Sequence, residues 1–173
     1  MYETHADLAW LDDLLTRSLA GAGEHLRSIV TAGERTLDAA QTAAVLTGMR
    51  TLAVATVTRT SEPRVSGEDG HFLHARWVFT TSGTAVKVRH LRARPGVSVA
   101  HIVGDDLGIF CHGQAEFLGD DHPDFPEIED HLVAHYGASP RTWGPDIAYL
   151  RVQPQWMVSY AFAKDRLLAE SSQ

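Results

Sequence analysis

From residue 51 onward the chain is a succession of short segments rich in β-branched and aromatic residues, with turn residues between them. This composition is typical of β-strands. The candidate strands cover residues 51–60, 64–66, 71–73, 77–81, 97–103, 107–118, 149–152 and 156–162. Helices predicted at 84–94 and 124–136 are too few for a regular alternation of strand and helix. Because a parallel sheet needs a crossover connection between successive strands, this order predicts an antiparallel barrel.

The first third of the chain is predicted to be helical instead. Leucines recur at helical spacing over His5–Ala20, and two glycines follow that stretch. A short second helix is predicted at 24–30, and a third begins with Thr36 as its N-cap and ends at Gly48. A length of 173 residues with 44% hydrophobic content suits one domain. We therefore predict a single domain over 1–173, in which a barrel core at 33–165 folds without the helical extension at 1–32.

Composition and charge exclude several classes of protein. A net charge of -7 argues against a nucleic-acid binder. The single cysteine, Cys111, excludes a disulfide scaffold and favours a reducing compartment. No apolar run approaches the ~20 residues that span a bilayer, and the first five residues lack the basic region of a secretory signal. We expect a cytoplasmic protein with neither a membrane nor a nucleic acid as its partner.

One segment concentrates the polar chemistry of the chain. A predicted strand ends in hydroxyl residues and a glycine: Thr80, Thr81, Ser82 and Gly83. Four cations follow within eight residues: Lys87, Arg89, Arg92 and Arg94. Free N–H groups at a helix N-terminus suit a phosphate, and Lys87 lies in the first turn of the predicted helix. The segment predicts a phosphate site; the alternative is a solvated basic helix whose buried side is Val88 and Leu91.

Six short segments, taken in order, resemble the pyridoxamine 5′-phosphate oxidase-like family. They are LAVATV at 52–57, PRVS at 63–66, WVFTT at 77–81, KVRHL at 87–91, RPGVS at 94–98 and HGQA at 112–115. The resemblance covers residues 37–160, most of the chain. It implies a mainly β fold of the α+β class: an antiparallel split β-barrel with peripheral helices and an N-terminal helical extension.

The same resemblance implies a function. Members of the family bind FMN between two subunits of a homodimer, and the oxidoreductases among them transfer hydride to or from a small-molecule substrate. The resemblance assigns the phosphate to the strand end and lysine at 81–87, and the flavin ring to the strand at 64–66. The cofactor-binding positions it implies are Arg64, Val65, Ser66, Thr80, Thr81, Ser82, Lys87, Val88 and Gln114. No catalytic residue and no metal ligand is assigned.

Departures from the family pattern keep two alternatives open. Many members carry a Ser-Arg pair just before the lysine, where this chain has Ala85 and Val86. The KVRHL segment resembles the actinobacterial branch, several of whose relatives use the deazaflavin coenzyme F-420 in place of FMN. The alternatives are therefore an F-420-dependent reductase and a non-catalytic cofactor-binding or haem-binding split-barrel protein. The substrate signature of the true pyridoxamine phosphate oxidases is absent, so that reaction is not assigned.

Histidines and the cysteine provide weaker candidates. His131 and His135 are four residues apart, but they lack the glutamate of a His-Glu-x-x-His zinc motif and are predicted to be exposed on an acidic helix. His101 and His112, on predicted strands, are candidate axial ligands for the haem alternative. Cys111 falls on the strand face predicted to be buried, which indicates an inert packed thiol.

Overall fold

The computed structural model describes residues 2–171, and its central feature is an antiparallel barrel of six strands. The strands are β1 (Met49–Val57), β2 (Pro63–Leu73), β3 (Arg76–Ser82), β4 (Gly96–Val103), β5 (Leu107–Leu118) and β6 (Ile147–Ala161). They close in the order β1-β2-β3-β6-β5-β4, and every neighbouring pair is antiparallel. The predicted fold class, a split β-barrel with peripheral helices, is confirmed.

Six α-helices surround the barrel in the described part of the chain. They are α1 (His5–Ala20), α2 (Glu24–Ile29), α3 (Ala39–Val45), α4 (Val86–Ala93), α5 (Phe125–Tyr136) and α6 (Lys164–Ser171). Helix α6 is not among the helices predicted from the sequence. Helix α3 begins later than predicted, because Asp38, not Thr36, is its N-cap. Asp38 and Gln41 form a reciprocal capping box, whereas the Thr36 hydroxyl accepts the Gly33 N–H.

Two long strands each merge two predicted ones. β2 runs straight through Gly67 and Gly70, which lie between the strands predicted at 64–66 and 71–73. A side chain at Gly70 would collide with Leu52, since a Cβ there would lie 2.4 Å from its Cδ1 atom. β6 passes through Pro154 with a bulge, so that Gly113 of β5 pairs with Pro154 and His112 pairs with Trp156.

The main hydrophobic core fills the barrel and extends under α1. Trp77 and Phe79 of β3 are fully buried at its centre. Leu11 and Leu14 of α1 belong to the same cluster and are also fully buried. Ser18 of α1 accepts the Met157 N–H beside the bulge at 3.0 Å. Because α1 completes the core and contacts the backbone of β6, we expect, in contrast to the prediction from the sequence, that the barrel depends on this helix.

A second, smaller core lies beneath α5 on the outer face of the barrel. Its members are Leu73, Val78, Leu118, Phe125, Ile128, Leu132 and Tyr149. Cys111 is buried in the main core, as predicted, and burial raises the pKa of its thiol to about 12, which disfavours the reactive thiolate. Among residues 2–171, no helix combines the length and apolar character needed to cross a bilayer.

Candidate functional site

A cavity of about 410 Å³ lies between α4 and the end of the hairpin formed by β1 and β2. We call it the α4 cavity. Its lining residues are Thr56, Thr58, Arg64, Val65, Ser66, Val86, Lys87 and His90. Four of the predicted cofactor-binding residues are thus brought together: Arg64, Val65, Ser66 and Lys87. The hydroxyl of Thr56 is hydrogen-bonded to His90 Nδ1 at 3.0 Å, which ties β1 to α4.

The start of α4 provides polar groups next to this cavity. The helix begins at Val86 with Ala85 as its N-cap, and no side chain caps it. Upstream, the hydroxyls of Ser82 and Thr84 are 2.9 Å apart and are exposed. An uncapped helix N-terminus carries unpaired N–H groups and a partial positive charge. Together with Lys87, this set of donors has the chemistry that an anionic phosphate needs.

Lys87 has a partner that the sequence analysis missed. Its ammonium group forms an ion pair with the carboxylate of Glu68 on β2. The side chain of Glu68 is only 6% exposed and that of Lys87 only 19% exposed, so the pair is largely shielded from water. The Ser66 hydroxyl donates a second hydrogen bond to the same carboxylate oxygen at 3.3 Å. Burial lowers the pKa of Lys87 below its usual value.

The other predicted site residues do not line the α4 cavity. Thr80, Thr81 and Ser82 pair with Tyr149, Ala148 and Ile147 of β6. Gln114 is exposed on β5 between its strand partners Gly96 and Gln153. Val88 of α4 is fully buried and belongs to the main core.

Arg64 adds an exposed cation to the rim of the cavity. Its guanidinium donates to the Glu62 carboxylate at 2.7 Å and to the Pro63 carbonyl at 3.0 Å. Both partners of the Arg64–Glu62 pair are more than half exposed, and such pairs contribute about 0–1 kcal/mol. Arg64 is therefore free to redirect its donors towards an anion at small cost. On the other side of the strand-to-helix turn, the carboxylate of Asp146 lies against Gly83.

A larger cavity of about 650 Å³ lies elsewhere, between α1, the segment at 30–38 and β6. Its two cations are Arg27 and Lys164. Arg27 donates to the Ala22 carbonyl and Lys164 to the Gly33 carbonyl, so both already have backbone partners. None of the predicted cofactor-binding residues lines this cavity.

A buried histidine occupies the contact between β2 and α5. His71 is 1% exposed, and its two ring nitrogens are hydrogen-bonded to Tyr136 Oη at 3.0 Å and to His131 Nε2 at 2.9 Å. The prediction that His131 is simply exposed is therefore wrong, because it packs on His71; His135 remains exposed. Burial, together with the two neighbouring histidines, lowers the pKa of His71 to about 4.

The His71 contact predicts an acid-sensitive step in stability. An unfolded histidine with the usual pKa of 6.5 takes up a proton before folded His71 does, so acidification favours unfolding. We expect His71 alone to cost about 2 kcal/mol of unfolding free energy between about pH 7 and about pH 4.5. Urea unfolding across this range measures the loss. His71→Gln should flatten the dependence by that amount, whereas the exposed His25→Gln should leave it unchanged; equal slopes in wild type and His71→Gln would contradict the assignment.

The two candidate haem ligands lie on opposite faces of the barrel wall. His101 is buried, with its Nδ1 atom 3.0 Å from the Thr51 carbonyl oxygen. His112 is exposed and stacks on Trp156, with ring centroids 4.7 Å apart. The two therefore do not converge on one ligand. Within residues 2–171, no three histidine, cysteine or carboxylate side chains are grouped as a metal site would require.

The fold and the site together define a class of protein. It is a six-stranded split barrel with a cavity that suits an anion, located where a strand is followed by a helix. The sequence model of the family described as pyridoxamine 5′-phosphate oxidase matches residues 39–160, which is more than half of the chain. The chain belongs to the pyridoxamine 5′-phosphate oxidase-like family. A comparison with curated proteins finds no match.

Solved structures agree with this assignment at the level of the fold. The conserved hypothetical protein Rv2991 from Mycobacterium tuberculosis is 17% identical with a TM-score of 0.64, covering 78% of this chain and 91% of its own. An FAD-binding protein from Mesorhizobium loti is 22% identical with a TM-score of 0.57, covering 72% and 93%. The haem storage protein HutZ from Vibrio cholerae is 18% identical with a TM-score of 0.55, covering 65% and 85%.

Proposed function

We propose that this protein binds a flavin-type cofactor, FMN, at the α4 cavity and acts as an oxidoreductase on a small organic substrate. The observation that carries the proposal is the convergence of Lys87, Arg64 and Ser66 on one cavity beside the uncapped start of α4. Membership of the family provides the second support. A bound flavin would supply the hydride-transfer chemistry, which leaves the protein the tasks of binding, orientation and exclusion of water.

The residues present fit a phosphate-bearing cofactor in their donor chemistry. Lys87 and Arg64 offer charge, Ser66 and Thr58 offer hydroxyls, and the first N–H groups of α4 offer neutral donors. The exposed side chains of Val65 and Val86 add apolar surface on which a flat ring can pack. No acid–base dyad is needed from the chain for a hydride transfer, in agreement with the absence of an assigned catalytic residue.

An F-420-dependent reductase is the second candidate for the same site. Ala85 and Val86 bring neither the hydroxyl nor the guanidinium that many FMN-binding members place before the lysine. A cofactor with a different phosphate environment is therefore a reasonable occupant. For haem, the separation of His101 and His112 gives no support. The cytoplasmic location inferred from Cys111 stays a prediction.

Titration of the purified protein tests this proposal. We expect FMN or F-420 to bind with saturable changes in absorbance and fluorescence, and haemin to give no specific spectrum. A defined substrate should then reduce or reoxidise the bound cofactor much faster than oxygen or dithionite controls do. Saturable binding of haemin, together with no binding of either flavin, would contradict the proposal.

We propose further that the protein is a homodimer built on the outer face of the barrel. This face carries small or apolar side chains on neighbouring strands: Ala53 of β1 pairs with Gly67 of β2 and with Ala100 of β4. Val65 and Ile102, which extend the same outer surface, are 70% and 57% exposed. An obligate interface usually hides more than about 2,000 Å², and an open apolar face of this kind suits that role.

If the homodimer forms through this face, a single charge introduced there should strongly weaken dimerisation. Ala53→Arg would place an unpaired cation from each subunit in the interface, which we expect to weaken dimerisation about 100-fold or more. Analytical ultracentrifugation over a range of concentrations measures the dissociation constant. Ala134→Arg, at an exposed position of α5, adds the same charge outside the face and should leave the dimer intact. A wild-type protein that is monomeric and still binds cofactor would refute the interface.

A further inference from the structure

The ion pair between Lys87 and Glu68 places a negative charge where the proposed site needs a positive one. Within the described residues, Glu68 is the carboxylate in ion-pair contact with Lys87. Its side chain is more deeply buried than that of the lysine, and Ser66 donates to the same oxygen atom. A carboxylate held in this way is a strong acceptor for the ammonium group, because charge-assisted hydrogen bonds strengthen as water is excluded.

A phosphate that binds at the α4 cavity therefore meets a lysine that is already paired. To use Lys87 fully, the phosphate must draw the ammonium away from Glu68 and leave a buried carboxylate without its partner. That state is unfavourable, since a buried charge that loses its counter-ion keeps the cost of its desolvation. The remaining donors do not remove the conflict, because Ala85 and Val86 have no polar side chains, and Arg64, which can turn to the phosphate, is paired with Glu62 and not with Glu68.

We infer that Glu68 is an internal competitor for the cofactor phosphate, and so a residue that sets the affinity and the phosphate selectivity of the α4 cavity. This inference rests on the proposed function. Glu68 lies at an inward position of β2 and forms one pair of opposite charge with Lys87. With Glu68 in place, a phosphate in the cavity must share the ammonium group of Lys87 with the carboxylate. Without it, the same cavity gains a free ammonium group.

The test compares Glu68→Gln with wild type in titrations with FMN and riboflavin. We expect Glu68→Gln to bind FMN about 10- to 100-fold more tightly, because one charge-assisted competitor is removed. Riboflavin, which lacks the phosphate, should bind both proteins alike. Asp130→Asn is the control: it removes the same charge at an exposed position of α5, outside the cavity and outside the proposed dimer face, and should change FMN affinity little.

A second measurement uses the protein without any cofactor. Urea unfolding of wild type, Glu68→Gln, Lys87→Met and the double variant forms a cycle. We expect coupling: the midpoint of the double variant should lie closer to wild type than the summed shifts of the single variants. Additive shifts would mean that the pair does not form in solution, which would overturn the inference.

The outcomes separate the inference from the function on which it rests. If wild type binds FMN and Glu68→Gln binds it no more tightly, the competitor role is wrong and the cofactor site stands. If neither protein binds FMN or F-420 while the unfolding cycle shows coupling, the proposed function fails, and Glu68 is only a structural partner of Lys87, which overturns the inference too. If only Glu68→Gln binds FMN, the competitor role is supported in its strongest form.

Discussion

Deleting residues 1–32 is expected to unfold the protein rather than leave a free-standing barrel. Leu11, Leu14 and Leu15 of α1 are buried in the main core. Removing a buried leucine side chain typically costs about 2–5 kcal/mol, so losing three costs about 6–15 kcal/mol. The total stability of a domain is about 5–15 kcal/mol, so little or none would remain. Circular dichroism and a urea titration of the truncated protein measure the outcome.

Point variants make this prediction interpretable even if the truncated protein aggregates. Leu14→Ala should lower the unfolding free energy by about 2–5 kcal/mol. Ser18→Ala should lower it by about 1–3 kcal/mol, because the buried Met157 N–H loses its acceptor. Asp13→Ala, on the exposed side of α1, should change it by less than about 0.5 kcal/mol. A cooperative unfolding transition in the truncated protein, at the wild-type midpoint, would restore the view of α1 as a separate extension.

Replacing Lys87 with alanine is expected to weaken FMN binding about 10- to 150-fold. The variant removes a charge-assisted bond to the phosphate worth roughly 1.5–3 kcal/mol. We expect the upper half of this range, since Ala85 and Val86 cannot compensate and the Glu68 carboxylate would be left beside the phosphate without a counter-ion. Added salt should weaken FMN binding to wild type more than to the variant, because the lost contribution is electrostatic.

Two controls separate a direct phosphate contact from a general loss of charge or of stability. Arg89→Ala removes one exposed cation from the same helix and should weaken FMN binding far less. Riboflavin should bind wild type and Lys87→Ala about equally, which would show that the site is still folded. If Lys87→Ala keeps full affinity for both FMN and F-420, α4 is a solvated basic helix and Lys87 serves only to neutralise Glu68.

The barrel was predictable because its signals are local. Segments of β-branched residues separated by turns indicate antiparallel strands wherever they occur. The errors arose where a local signal has a non-local explanation. The strands predicted at 64–66 and 71–73 are one strand, in which Gly70 makes room for Leu52 on the neighbouring strand. The strands predicted at 149–152 and 156–162 are one strand, because Pro154 lies in a bulge within β6 and Ser18 of α1 accepts the nearby Met157 N–H.

The candidate site was predicted only in part, because some of its residues have a local signal in the sequence and others do not. Lys87 stood out because hydroxyls and a glycine precede it in the chain. Glu68 did not, because it lies 19 residues away in a run of glycine and acidic residues that looks like a surface turn. The alternation of a continuous β2 was the signal that would have placed Glu68 inside the barrel. Likewise, only the packing of α5 on β2 brings His131 to His71, 60 residues apart.

A structure of the protein soaked or co-crystallised with FMN tests the central claim most directly. We predict that the phosphate lies in the α4 cavity, within hydrogen-bonding distance of Lys87 Nζ and of the first N–H groups of α4, with the Glu68 carboxylate moved away from the ammonium group. FMN bound in the larger cavity between α1 and β6, or bound in the α4 cavity with its phosphate in solvent and the Lys87–Glu68 pair intact, would contradict the claim.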